Sequence, residues 1–126
     1  MIKLLICIKI KMIMTKTVLI VEDEAIVAKD YRAMLINTGF RVVGIADNST
    51  KAIEIAVELK PDIILMDINL KGEVSGIEAA KIIYDLYRPK IVFLTGFDEE
   101  VLVFTGIHYK YIRKPVYEWN LIKVLN

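Results

Sequence analysis

Five residues carry the chemistry this sequence can do: Glu22, Asp23, Asp67, Thr95 and Lys114. Each sits at the end of a short predicted strand, mostly apolar in all but the last. "TVLIV" leads into Glu22 and Asp23, "DIILM" into Asp67, "KIVFL" into Thr95, and "KYIR" into Lys114. A carboxylate closing a buried strand is costly unless something neutralises it. Three carboxylates drawn to one place repel each other, and one takes up a proton unless a cation offsets the charge. Lys114 supplies one positive charge, too little for three acids. A hard divalent ion held by oxygens is the natural remainder, and Mg²⁺ typically uses one or two carboxylates, waters and a phosphate. An Asp beside Mg²⁺ and an ammonium suits phosphoryl chemistry, with the Asp as nucleophile and an acyl phosphate as product.

The elements that must bring these residues together follow a regular pattern. Strands are predicted at 17–21, 41–46, 62–67, 90–95 and 110–114. Between them, 24–38 carries Val27, Tyr31, Met34 and Leu35 at helical spacing and stops at Gly39. "NSTKAIEIAVELKP" opens on capping residues, puts Ala52, Ala56 and Leu59 on one face, and ends at Pro61. Residues 76–87 form a helix with Ala79, Ala80, Ile83 and Tyr87 inward, and 116–125 a short last one. Strand alternating with helix implies a parallel sheet covered on both faces. In such open sheets ligands bind beyond the carboxyl ends of the strands. The second strand ends in Ala46 and Asp47, which are left out of the constellation.

Composition narrows the classes. A hydrophobic content of 56% suits a sheet buried on both faces. With 17 basic and 16 acidic residues and a net charge of +1, there is no electrostatic case for a nucleic-acid-binding face. The single cysteine, Cys7, excludes an intrachain disulfide, and a cytoplasmic setting is expected. The first residues, "MIKLLICIKIKMIM", are apolar but interrupted by Lys9 and Lys11, and fall short of the ~20 apolar residues of a membrane span. No cleavage site of the secretory kind follows them. Residues 1–14 are read as an N-terminal extension, with Met12 or Met14 as the natural start. The "IKIK" alternation is its alternative, an extra edge strand. Residues 15–126 are read as one domain.

The motifs "LIVEDE" (19–24), "ILMDINLKGEVSGIEAA" (64–80), "VFLTG" (92–96) and "YIRKP" (111–115) resemble, in order and spacing, those of the receiver domains of two-component response regulators, of the chemotaxis-regulator kind. The resemblance implies a three-layer, doubly wound α/β fold of the flavodoxin-like type, with five parallel strands in the order 2-1-3-4-5. It implies Asp67 as phosphoacceptor, Asp23 as direct and Glu22 as water-mediated Mg²⁺ ligand, and the backbone carbonyl of Asn69 as a further ligand. Thr95 would donate its hydroxyl to the phosphoryl group, Lys114 would pair with a phosphoryl oxygen, and Pro115, usually after a cis bond, would fix the loop. Tyr111 matches the aromatic switch position. The implied partner is a histidine kinase or phosphotransfer protein. The chain would not be an enzyme beyond its own phosphorylation and dephosphorylation at Asp67.

The sequence departs from the family pattern in three places. The acidic pair is Glu-Asp rather than Asp-Asp, Gly96 stands for the usual Ala, and the interval from Thr95 to Lys114 is short. The fourth helix, left to "DEEVLVFTG" (98–106), is therefore expected to be short, with 98–109 weakly structured and apolar. The face built from 98–126 is the expected surface for a protein target or a homodimer. Two alternatives remain: a receiver-fold interaction module that is never phosphorylated, and a phosphatase-type enzyme with an aspartyl-phosphate intermediate. The second usually needs an acid two residues after the nucleophile, where this chain has Asn69. His108, the only histidine, is read as a loop residue and Trp119 as packing.

Overall fold

The computed structural model describes residues 2–6, 15–70, 74–96 and 106–126. Five strands form one parallel sheet: β1 (Thr17–Val21), β2 (Arg41–Ala46), β3 (Ile63–Asp67), β4 (Lys90–Thr95) and β5 (Lys110–Arg113). Their order is β2-β1-β3-β4-β5, as the resemblance implied. Helices α1 (Ala25–Asn37), α2 (Ser49–Leu59) and α3 (Gly76–Tyr87) follow the first three strands, and a C-terminal helix (Glu118–Leu125) closes the chain.

Alternation along each strand explains the two cores. Val18, Ile20, Ile63, Leu65, Val92 and Leu94 face α1 and the C-terminal helix, where they meet Ala28, Tyr31, Leu35, Leu121 and Leu125. Leu19, Val21, Ile64, Met66, Ile91 and Phe93 face the other way, against Ala52, Ala56, Ala79, Ala80 and Ile83 of α2 and α3. Both faces are covered, so the central strands are apolar at every position between their ends. β3 is buried along its whole length, Asp67 included.

The helix ends follow local chemistry. Asn48 accepts a bond from the Lys51 N–H at 2.9 Å, and Ser75 one from the Glu78 N–H at 3.2 Å. Each satisfies a donor the first turn leaves open. At the other ends Lys60 and Arg88 adopt the left-handed conformation, and Pro61 and Pro89 follow at once. Proline cannot continue a helix, so the chain turns directly into β3 and β4.

Two expectations change. Leu59, expected on the inward face of α2, is 51% exposed. Ala52 and Ala56, flanked by Ile53 and Ile55, make the packed face, and Leu59 lies in the last turn beyond them. The last helix starts at Glu118 rather than 116, because Val116 is itself buried in the core before the helix begins. Residues 2–6 are helical and their apolar side chains exposed. The alternative edge strand near 8–13 falls on 7–14, and the expected short fourth helix over 98–106 falls on 97–105 in all but its last residue, outside the described residues. Among the described residues no helix is long and apolar enough to cross a membrane.

Candidate functional site

The carboxyl edge of the sheet gathers the predicted residues because the strand ladders run one step past the strands. The Glu22 N–H donates to the Ala46 carbonyl at 2.9 Å, extending the pairing of β1 with β2. The Ile68 N–H reaches the Leu94 carbonyl at 3.2 Å, and the Lys114 N–H reaches the Thr95 carbonyl at 2.7 Å. Glu22, Ile68 and Lys114 are thus held by backbone bonds at the mouth, and their neighbours inherit that fixity.

Asp67 stands at the centre. It is 3% exposed, and both carboxylate oxygens have partners. Oδ1 accepts the Asn69 N–H at 3.0 Å, a turn of the chain onto its own strand end. Oδ2 pairs with Lys114 Nζ at 3.2 Å. The Lys114 side chain stays about a third exposed, so the pair opens to solvent on the lysine side. The Lys114–Pro115 peptide bond is cis.

The acid side of the site is short of positive charge. Ligand oxygens of Glu22, Asp23 and Asp67 lie within 4.8 Å of one another. Glu22 is 3% exposed, and the Asp23 N–H donates to its Oε2 at 3.0 Å. Burial first, then a hydrogen bond with Asp67 and the Asp67 charge, push the Glu22 carboxyl up to about 8, against a smaller lowering by Lys114. A carboxylic acid so perturbed marks a place where a cation would be welcome. The donor set is all oxygen and the third acid, Asp23, is half-buried, which fits a hard divalent ion with room for water. The cluster is therefore one that could bind a metal.

Thr95 is fully buried at the end of β4, one position past Leu94, the register partner of Asp67. Tyr111 pairs with Phe93 in register and is 36% exposed, at the outer strand of the sheet. Asn69 is exposed. Hence Glu22, Asp23, Asp67 and Lys114 share one cluster, with Thr95 at the same edge, while Tyr111 lies part-way down β5.

Three contributors were not singled out from sequence. Gly76, the first residue of α3, sits so close to the strand end that a Cβ there would fall 2.3 Å from the Asp67 carbonyl oxygen. Only glycine lets α3 begin at that spot. Its signal was Ser-Gly at a helix start, which reads equally well as a plain cap. Ser49 is buried and its hydroxyl donates to the Val74 carbonyl at 2.6 Å, tying the start of α2 to the segment that leads into α3. Tyr31, read from sequence only as a core residue of α1, is raised to about 12 by burial and then by the charges of Glu22 and Asp67. Tyr31 itself is buried in the core between the sheet and α1.

Residues 18–126 match the family model of the response regulator receiver domain. The chain is 38% identical over 91 residues to the transcriptional regulatory protein YdfI of Bacillus subtilis, covering 71% of this chain and 42% of that protein. It is 35% identical over 111 residues to the transcriptional regulatory protein BtsR of Salmonella typhi, covering 86% of this chain and 46% of that protein. The chain thus spans less than half the length of these curated relatives. Among solved structures, the signal receiver domain of a modulated diguanylate cyclase from Desulfovibrio desulfuricans superposes with a TM-score of 0.79 at 32% identity, over 88% of this chain and 90% of that one.

Proposed function

The chain belongs to the response regulator receiver domain family of two-component systems, and from that premise we propose that it takes a phosphoryl group onto Asp67 and changes its surface in response. The observation that carries this reading is the setting of Asp67. It is a buried carboxylate held by Lys114 Nζ at 3.2 Å and the Asn69 N–H at 3.0 Å, beside two further acids.

The phosphodonor is a phosphohistidine of a kinase or phosphotransfer protein. A carboxylate oxygen of Asp67 attacks phosphorus, the P–N bond breaks, and the imidazole leaves with the bonding electrons and takes up a proton. Lys114 stays on the phosphoryl oxygens as their counter-charge, and the Asn69 N–H holds the carboxylate in a fixed rotamer during the attack. The hydroxyl of Thr95 donates to the new phosphoryl group. Glu22, Asp23, Asp67 and the carbonyl of Asn69 are the residues that would hold Mg²⁺. When bound, that ion neutralises the charge of acids and phosphoryl group together. Apart from this self-modification the chain carries out no reaction. Tyr111, exposed on β5, is the residue proposed to turn inward, altering the 98–126 face for a protein target or a second copy.

A phosphatase-type reading is less well supported, because Asn69 stands where a second acid would be needed and gives its backbone N–H to Asp67 instead. The test is incubation with acetyl phosphate and Mg²⁺, read by intact mass. The expected gain is one phosphoryl group on the wild type and none on Asp67→Asn. Equal labelling of the two proteins refutes the assignment.

A further inference from the structure

The opposite, amino-terminal edge of the sheet holds a second concentration of charge, of the other sign. A cavity of about 330 Å³ opens between the end of α3 and the starts of β4 and β5. Arg88, Lys90, His108 and Lys110 line it together with Tyr84 and Tyr109. No acidic side chain is among its lining residues. None of Arg88, Lys90 and Lys110 has a carboxylate partner among the described residues. Asp62, on the same edge, accepts the Thr17 N–H at 2.9 Å and the Thr17 hydroxyl at 3.1 Å.

The arrangement mirrors the acid cluster. Lys90 is half-buried, and burial, then Lys110 and Lys16, lower its ammonium from the ordinary value. Charged groups held this way gain when an anion sits among them. The backbone fixes two of the three cations. The Lys90 N–H donates to the Asp62 carbonyl at 3.0 Å, and Arg88 caps α3 in the left-handed conformation with its guanidinium 5.8 Å from the Tyr84 ring centre. The second ring is anchored as well, since Tyr109 packs edge-on against the buried Phe93. The volume lies near the lower end of the range typical of small-molecule sites. Its concave shape, and the near-neutral chain around it, suit a small anion better than a polymer.

We propose that this pocket binds a small aromatic organophosphate of the nucleoside monophosphate class, with its phosphate at Lys90, Lys110 and Arg88 and its ring against the tyrosines. Arg and Lys at a phosphate give charge-assisted bonds, and the tyrosines offer flat apolar faces. The pocket lies at the start of β4, while Thr95 ends that strand. Five residue steps of strand separate the two sites by roughly 17 Å, so occupancy does not require Asp67.

The test is calorimetric titration of the full chain with AMP, adenosine and inorganic phosphate, in EDTA. AMP should bind with a Kd below about 1 mM, adenosine should not, and phosphate should bind more weakly than AMP. Lys90→Gln with Lys110→Gln should weaken AMP by roughly tenfold or more, the loss of at least one charge-assisted bond. If that pair fails to fold, Arg88→Gln, at an exposed position, should weaken it likewise. Asp67→Asn should bind AMP as the wild type does. No AMP binding at millimolar concentration, or unchanged affinity in the cation variants, overturns the site. Phosphate binding as tightly as AMP overturns the ligand class. Loss of binding in Asp67→Asn assigns the anion to the carboxyl edge and also overturns the proposal, while leaving the phosphoacceptor reading intact.

Discussion

Replacing Glu22 by Gln should stabilise the metal-free fold at alkaline pH and weaken its response to Mg²⁺. The Glu22 carboxyl rises from 4.5 to about 8 in the folded chain. At about 1.4 kcal/mol per pH unit, the full difference is on the order of 5 kcal/mol. Because the folded value lies above the unfolded one, folding favours the protonated acid. The stability tied to that proton is complete below about pH 4.5, declines as pH rises, and is gone once pH passes about 8. Gln carries no ionisable proton and keeps an N–H donor for Asp67, so the variant should lack this decline. In EDTA, urea unfolding at pH 5 and pH 8.5 should show the wild type losing several kcal/mol across the interval relative to Glu22→Gln. Part of the shift comes from Asp67 and Asp23, so a difference of about 2–5 kcal/mol is the reasonable expectation. Mg²⁺ at a hundred times its Kd should return about 2.7 kcal/mol to the wild type, and less to the variant, which has lost a charged neighbour of the ion. A wild type whose stability in EDTA tracks that of Glu22→Gln to within about 1 kcal/mol from pH 5 to 8.5 would refute the reasoning.

Gly76→Ala should destabilise the domain by about 1–3 kcal/mol, because its Cβ would meet the Asp67 carbonyl at 2.3 Å. It should also slow phosphorylation by displacing Asp67. Denaturant unfolding and the intact-mass assay check both effects, and wild-type behaviour in each would show that α3 moves away freely. Tyr87→Phe should cost about 1 kcal/mol, since its hydroxyl donates to the Pro61 carbonyl at 2.8 Å across the amino edge, with no change in phosphorylation. An unchanged urea midpoint would mean that water replaces the hydroxyl. Deletion of residues 1–13 should leave melting temperature and phosphorylation unaltered, because β1, the first strand among the described residues, begins at Thr17. A clear drop in melting temperature would show that the extension covers a sheet edge.

Most of the architecture was legible in the chain because it rests on local signals. The strands at 17–21, 41–46 and 90–95 coincide with the apolar runs, and α3 with residues 76–87. Apolar periodicity, Ser75, Asn48, Pro61 and Pro89 act on their own neighbours, so a reader needs no partner strand to see them. The candidate site was legible for a related reason. In a parallel sheet every strand points the same way, so residues that end strands share an edge whatever the details of packing. That rule puts Glu22, Asp23, Asp67, Thr95 and Lys114 at one edge, and equally Ala46 and Asp47, so it does not by itself select the five.

What tertiary structure decided was distance and environment between elements. Nothing in the neighbourhood of Gly76 says that the Asp67 carbonyl lies against it, because the contact arises where α3 docks on the strand it follows. Tyr31 reads as core from its spacing, yet the acids it faces come from the ends of β1 and β3. The rise of Glu22 to about 8 depends on burial and on the approach of Asp67, 45 positions away in sequence. The basic pocket draws on the end of α3 and the starts of two strands, where isolated Lys and Arg look like ordinary solvated charges. A periodic sequence fixes which face a side chain takes. The energy of a charge depends on how far it stands from other charges and from water, and those distances exist only once the layers have closed.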